Sequence, residues 1–285
     1  MKRILKIYIK PFFEATGLYV SMHRLFFLLL HTQAKIANIF YKTFYKTAPI
    51  LLYHRISTTS ADPLMLCVTP VCFENHLQFL KKHYNIIPLS ELSGLLIAGT
   101  LKGNEAAVTF DDGYRDNIIN ALPLLEKYNI PATIFITTGA LGRKASFEWD
   151  MKYKESDRAV FLSETEIKSL YEHPLIEIGA HTETHQRLAS ATPEEQKKEI
   201  LKSKLTLEYI IGEKVRSFAY PFGGIYDFNN FSKEIVEQAG FDFAYSNTQK
   251  LAKKTKNSLG IPRINIRECT VFDLSKKIIC RNGTF

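Results

Sequence analysis

One stretch limits what this chain can fold into: Ala106-Ala107-Val108-Thr109-Phe110, followed at once by Asp111-Asp112-Gly113. The small and apolar residues read as a strand buried on both faces, and it ends on two adjacent carboxylates. An unpaired ionised carboxylate is costly in a low-dielectric site, so two of them at the mouth of a buried strand require partners. Asp-Gly is also an ordinary turn dipeptide, and a plain turn is the competing reading.

A second apolar run, Leu175-Ile176-Glu177-Ile178-Gly179-Ala180, leads into His181-Thr182-Glu183-Thr184-His185. Histidines at i and i+4 share one face of a helix or tight turn and can grip one metal ion through neutral imidazole nitrogens. Taken alone, such a pair also reads as a hydrogen-bonded surface feature. Two imidazoles and one carboxylate leave a coordination position open, as catalytic metal sites require. The second carboxylate is then free to act as a base.

Together, Thr109-Phe110-Asp111-Asp112-Gly113 and His181-Thr182-x-x-His185 resemble the first two motifs of the polysaccharide deacetylases, the NodB-homology family or carbohydrate esterase family four. The resemblance runs from about Ile50 to about Phe272. It implies an α/β fold, a distorted barrel of about seven β/α units. It implies removal of an acyl group from an amino sugar, with Asp111 as general base. It further implies that Asp112, His181 and His185 hold one divalent ion; zinc is expected, and cobalt, nickel or iron suit the same donors. Such an ion lowers the pKa of bound water and polarises an acetamide carbonyl, while Asp111 takes the proton.

Two departures from the family pattern stand out. Its third motif, Arg-x-Pro-Tyr, falls on Ala219-Tyr220-Pro221-Phe222, which lacks the arginine that usually braces the base. Phe222 stands where the family uses a backbone N–H as an oxyanion donor, worth about 3 kcal/mol. The segment Tyr220 to Gly223 also reads as a rigid aromatic turn lining the cleft. The last family motif carries a histidine general acid, yet the matching strand, Ile261-Pro262-Arg263-Ile264-Asn265-Ile266, has none. Two kinds of substitute are at hand. His54 ends the first strand and opens onto the same rim, either as an acid or electrophile or as a structural histidine, and Arg263 or Arg55 can brace Asp111. The sequence Tyr53-His54-Arg55 is similar to a branch of the family without the third-motif arginine. Trp149, the only tryptophan, sits in a long loop over 138–160 and reads as a sugar-stacking wall or as packing.

Strands are expected at Pro49–Tyr53, Asn85–Pro88, in the two runs above, and at Pro131–Ile136, Val215–Ala219, Phe241–Tyr245 and Pro262–Ile266. Helices are expected from Phe73, from Ser90 to Gly99, and over Arg115–Tyr128, Ser163–Glu172, Thr192–Gly212, Phe231–Ala239 and Thr270–Ile279. Alternation of this kind, with polar residues at the carboxyl ends of strands, describes a parallel sheet or barrel. Thr192-Pro193-Glu194-Glu195 is a sharp helix start, and the charges after it read as a solvated face. His76 and His83 read as surface or edge residues. Cys67, Cys72, Cys269 and Cys280 form no Cys-x-x-Cys pair and read as free thiols.

An apolar fraction of 46% supports a sizeable core. The formal net charge is +8, and it is unevenly spread. Residues 1–46 carry eight basic side chains and one acid, leaving the remainder nearly neutral, so nucleic acid is not an indicated partner. The chain therefore divides into a basic, apolar helical arm (1–46) and a deacetylase-like barrel (47–285). Lys6 and Lys10 interrupt any secretory core, and the apolar runs are too short to span a bilayer. The arm suits peripheral contact with an anionic membrane surface or packing on the barrel. The expectation is a metal-dependent N-deacetylase, cytoplasmic and peripheral at the inner membrane, acting on an N-acetylated glycan or lipid-linked sugar intermediate. The alternatives are an envelope-facing deacetylase of polymeric glycan, or a barrel that binds carbohydrate without chemistry.

Overall fold

The computed structural model describes residues 46–143 and 147–280. The predicted arm therefore lies outside the described residues, apart from Lys46. Among the described residues no helix is long and apolar enough to cross a membrane.

The chain alternates strands and helices. In order they are β1 (Ile50–Tyr53), β2 (Arg55–Ile56), β3 (Cys67–Val68), α1 (Pro70–His83), β4 (Asn85–Ile86), α2 (Leu89–Ala98) and β5 (Glu105–Phe110). Then come α3 (Leu122–Tyr128), β6 (Ala132–Ile136), α4 (Glu164–Tyr171), β7 (Ile176–Ala180), α5 (Pro193–Ile211) and β8 (Ser217–Ala219). The last elements are α6 (Asn230–Gln238), β9 (Phe243–Ser246), β10 (Leu259–Pro262), β11 (Ile264–Asn265) and α7 (Val271–Cys280).

The main sheet runs β10-β9-β8-β7-β6-β5-β1-β11, every pairing parallel, with β4 added beside β5. Its two ends belong to one piece of chain. β10 pairs with β9 through Ile261 and Pro262, and β11 pairs with β1 through Ile264 and Asn265. Only Arg263 separates them, so the segment passes from one neighbour to the other and draws the sheet into a distorted barrel. Counting that segment once leaves seven positions around the ring, as the family pattern implies.

Side chains alternate across each strand, and the alternation decides what meets the helices and what fills the barrel. Leu51, Tyr53, Val108, Phe110, Ile134, Ile136, Ile178, Phe218 and Ile264 join the apolar cluster under the helices. Ile50, Ala107, Phe135, Ala219, Tyr245 and Ile261 form the second cluster, on the other face of the strands. That same parity carries His54, Asp111, His181, Arg263 and Asn265 to the mouth, where the carboxyl ends of parallel strands open together.

Three expectations change. The single helix over Arg115–Tyr128 is a π turn (Asn117–Ala121) joined to α3. Pro123 has no N–H to continue the ladder and its ring crowds the preceding turn, so the extra residue is absorbed there. His76 is fully buried, not at the surface, because it shares the inner face of α1 with Phe73, Leu77 and Leu80. Its Nε2 donates to the Cys269 carbonyl at 2.9 Å and its Nδ1 meets the Tyr53 hydroxyl at 3.2 Å. Burial holds its pKa below the ordinary value. Finally, α5 is not uniformly solvated, since Gln196, Glu199 and Lys204 lie on its buried face with Ile200 and Leu207.

Gly179 in β7 leaves the space that the Phe135 ring occupies, since a Cβ there would stand 2.4 Å from two ring carbons. Overpacking of this kind costs about 1–3 kcal/mol. Gly179→Ala is therefore expected to lower the urea midpoint by a corresponding amount at unchanged slope. An unaltered midpoint would show that Phe135 repacks freely.

Candidate active site

Asp111 follows β5 directly, and its N–H donates to Tyr53 in β1 at 3.0 Å. Its carboxylate is gripped by both arms of Arg263: Nη1 to Oδ1 and Nη2 to Oδ2, each at 2.7 Å. Both residues are buried, Arg263 completely. Nη1 also reaches Thr109 Oγ1 at 3.3 Å, and the guanidinium lies over the Phe135 ring with its carbon 5.1 Å from the centroid. Burial pushes the Asp111 carboxyl up, but Arg263, with His181 beside it, outweighs that and holds it below the usual carboxylate range. Ionised, it accepts from Arg263 and keeps further lone pairs for another donor.

Asp112 turns the chain sharply. It adopts φ +75° and Gly113 +79°, a left-handed pair that glycine takes without strain and aspartate does not. This turn directs Asp112 toward two imidazoles. Its Oδ1 stands 3.5 Å from His181 Nε2 and 3.3 Å from His185 Nε2. His181 Nδ1 lies 2.8 Å from the Ala219 carbonyl, which only accepts, so Nδ1 carries the proton and Nε2 presents a lone pair. Burial is the main cause that drops the His181 pKa to about 4, so the ring is neutral near pH 7.

His181 Nε2 and Asp112 Oδ1 are thus two acceptors facing one another, and among the described residues Oδ1 has no hydrogen-bond partner. A cation resolves that arrangement. The three donor atoms lie within 4.8 Å of one another, and the nitrogen, nitrogen, oxygen set fits a divalent transition metal.

The segment 181–185 is a bent turn and not a helix, with Thr182 at φ +63° and His185 at +62°. It is tied down on several sides. His181 N donates to Ile136, and Thr138 N and Gly139 N donate to Thr182 and Glu183. From α5, Glu199 accepts from Glu183 N at 3.0 Å, Thr184 N at 2.8 Å and Thr184 Oγ1 at 2.6 Å. Around the cluster opens a cavity of about 360 Å³, lined by His54, Asp111, Asp112, His181, His185, Trp149 and Phe222 among others.

The polysaccharide deacetylase family model matches residues 98–244. The chain belongs to the polysaccharide deacetylase family. It is 28% identical over 214 residues to the poly-beta-1,6-N-acetyl-D-glucosamine N-deacetylase of Staphylococcus aureus, covering 72% of this chain and 69% of that protein. Among solved structures, the Streptococcus pyogenes deacetylase PplD, in complex with acetate, matches with TM-score 0.68 and 25% identity over 81% of this chain and 98% of that one. IcaB from Ammonifex degensii shares the fold at TM-score 0.68 and 21% identity, covering 84% of this chain and 97% of that one.

The remaining candidates divide. His54 is half-buried and lines the cavity, and its carbonyl accepts from Asn117 Nδ2 at 2.9 Å. Trp149 packs edge-to-face on His185 at 5.0 Å and stacks on Phe147 at 4.5 Å, so it is both packing and cavity wall. Phe222, at φ +61°, covers the other side of His185 at 4.8 Å. Behind it Gly223, at φ +68°, cannot be replaced, as a Cβ would fall 2.7 Å from Asn247 N.

Tyr220 does not line the cleft. It continues the outward parity of Phe218, stacks on Phe228 at 3.9 Å, and donates to the Leu259 carbonyl. Arg55 does not brace Asp111 either. One residue beyond the inward His54, it pairs with Asp116 at 2.9 Å and reaches the Asp157 carbonyl. Sequence reasoning passed over Glu199, although its helical spacing with Gln196, Ser203 and Leu207 marks the buried face. It also passed over Asn265, in β11 two residues after Arg263, whose Oδ1 is buried and without a partner among the described residues.

Arg263→Met removes the cation that offsets burial of Asp111, so the Asp111 pKa must rise. A base works only when ionised, so the acid limb of the kcat/KM profile is expected to move to higher pH. Arg263→Lys, which keeps the charge and loses the fork, should move it less. An acid limb that stays in place in both variants would detach Arg263 from the base.

Proposed function

We propose that this protein is a metal-dependent N-deacetylase that releases acetate, or a similar short acyl group, from an amino sugar of a glycan. The observation that carries this reading is the convergence of Asp112, His181 and His185 beside an Asp111 that Arg263 keeps ionised. The Staphylococcus aureus relative is named for the same reaction, on poly-beta-1,6-N-acetyl-D-glucosamine.

A divalent cation held by Asp112, His181 and His185 supplies Lewis acidity, which favours water as its conjugate base and polarises a carbonyl; zinc suits this donor set best. The chain's own residues do the rest. Asp111 takes the proton of the attacking water, and oxygen bonds to the amide carbon. The Phe222 N–H, which has no acceptor among the described residues, donates to the developing oxyanion. Asn265 Oδ1 accepts from the acetamido N–H or a sugar hydroxyl, which satisfies its buried lone pairs. As the C–N bond breaks, His54 delivers a proton to the nitrogen, and acetate and a free amine result. Trp149 and Phe222 give the sugar ring apolar faces to lie on.

The test is acetate release from a panel of N-acetylglucosamine oligomers. A chelator should abolish it and a divalent cation restore it. Asp111→Asn should lower kcat by about 10² to 10⁴ with the metal still bound. Wild-type rates from Asp111→Asn would remove the base and the mechanism with it.

A further inference from the structure

Two cations at the mouth of the catalytic cavity have no role in the scheme above. Lys152 and Arg267 both line the cavity and both are exposed. Among the described residues neither forms an ion pair with a carboxylate. Arg267 Nη1 meets only the sulfur of Met65, at 3.5 Å.

Glu148 and Glu155, close to Lys152 in sequence, are exposed and pair with neither cation, and three other acids are held by neutral donors. Glu268 accepts from Thr69 N at 2.7 Å and Thr69 Oγ1 at 3.0 Å. Asp62 accepts from Leu66 N, Cys67 N and the Tyr153 hydroxyl. Asp150 accepts from Phe147 N. Among the described residues the carboxylates that line the cavity are Asp111, paired with Arg263, and Asp112, beside the two histidines. Lys152 and Arg267 thus stand at the mouth without a contacting carboxylate among the described residues, above a floor whose two carboxylates face Arg263 and the metal ligands.

We infer that the preferred substrate carries an anionic group, a carboxylate or a phosphate, next to the N-acetylated sugar. This rests on the deacetylase reading of the site and names its substrate class. Lys152 closes the same short turn (Glu148–Lys152) that supplies Trp149, so a sugar on that ring brings its neighbour within range of a cation. Arg267 follows Asn265 by two residues, which couples recognition of charge to the strand that carries the orphan amide oxygen. The same cations repel a glycan already bearing free ammonium groups, so a polymer of hexosamine alone would resist its own continued deacetylation.

The experiment compares kcat/KM for acetate release from three substrates. One is a neutral N-acetylglucosamine tetrasaccharide, the second alternates that sugar with a uronic acid, and the third joins it through phosphodiesters. Two exposed ion pairs give a preference of roughly tenfold for one of the anionic substrates over the neutral one. Which of them shows it separates carboxylate from phosphate. The preference should fall toward one in Lys152→Ala/Arg267→Ala, and in wild type as the salt is raised to about 1 M. Equal kcat/KM for all three substrates, or a preference that survives in the double variant, overturns this inference and leaves the deacetylase intact. Release from none of them overturns the deacetylase reading itself.

Discussion

The fork of Arg263 on Asp111 is the constraint around which the barrel mouth is arranged. A guanidinium with no exposed surface and a carboxylate nearly as buried can coexist only as a pair, and removing one partner of such a pair costs about 3–5 kcal/mol. The pair also closes the fold. Arg263 is the single residue between the half-strand held by β9 and the half-strand held by β1, so the kink that seals the sheet points its side chain inward at Asp111. Phe135, with Tyr245 against it at 5.5 Å, forms an apolar floor that water does not reach. Closure of the sheet and the pairing that keeps Asp111 ionised fall on the same residue.

Around that pair the backbone is strained where the chemistry is. Eight described residues other than glycine have positive φ, and four of them, Asp112, Thr182, His185 and Phe222, belong to the cavity or the turn behind it. Each such conformation costs of order 1–3 kcal/mol and persists only where the surroundings fix it. Here the fixing is visible. Glu199 holds the histidine turn through three hydrogen bonds, the Ala219 carbonyl sets the His181 tautomer, and Gly223 lets Phe222 fold against His185. The candidate donors are thus held in place by the protein's own contacts.

Much of this is legible in the sequence, and the exceptions have physical causes. Asp111, Asp112, His181 and His185 stand at the ends of apolar runs, so their position on one rim follows from strand order alone. Arg263 is the favoured brace and Arg55 the second candidate, and one-dimensional spacing does not say which of the two faces inward. Pairing and alternation do, and they turn Arg55 toward Asp116 and Tyr220 toward Phe228. His76 looked solvated because a histidine among charged residues usually is, yet its helical neighbours Phe73, Leu77 and Leu80 mark the buried side. The two halves of the closing strand read as one, because the switch between partners leaves no trace in composition.

The most direct test of the central claim is an anomalous scattering map from crystals of the full chain grown with a divalent transition metal. One ion per chain, bonded to Asp112 and to the Nε2 atoms of His181 and His185, with Asp111 nearby but unbonded, is the predicted result. A site left empty, or an ion held by other residues while these three stay apart, would contradict it.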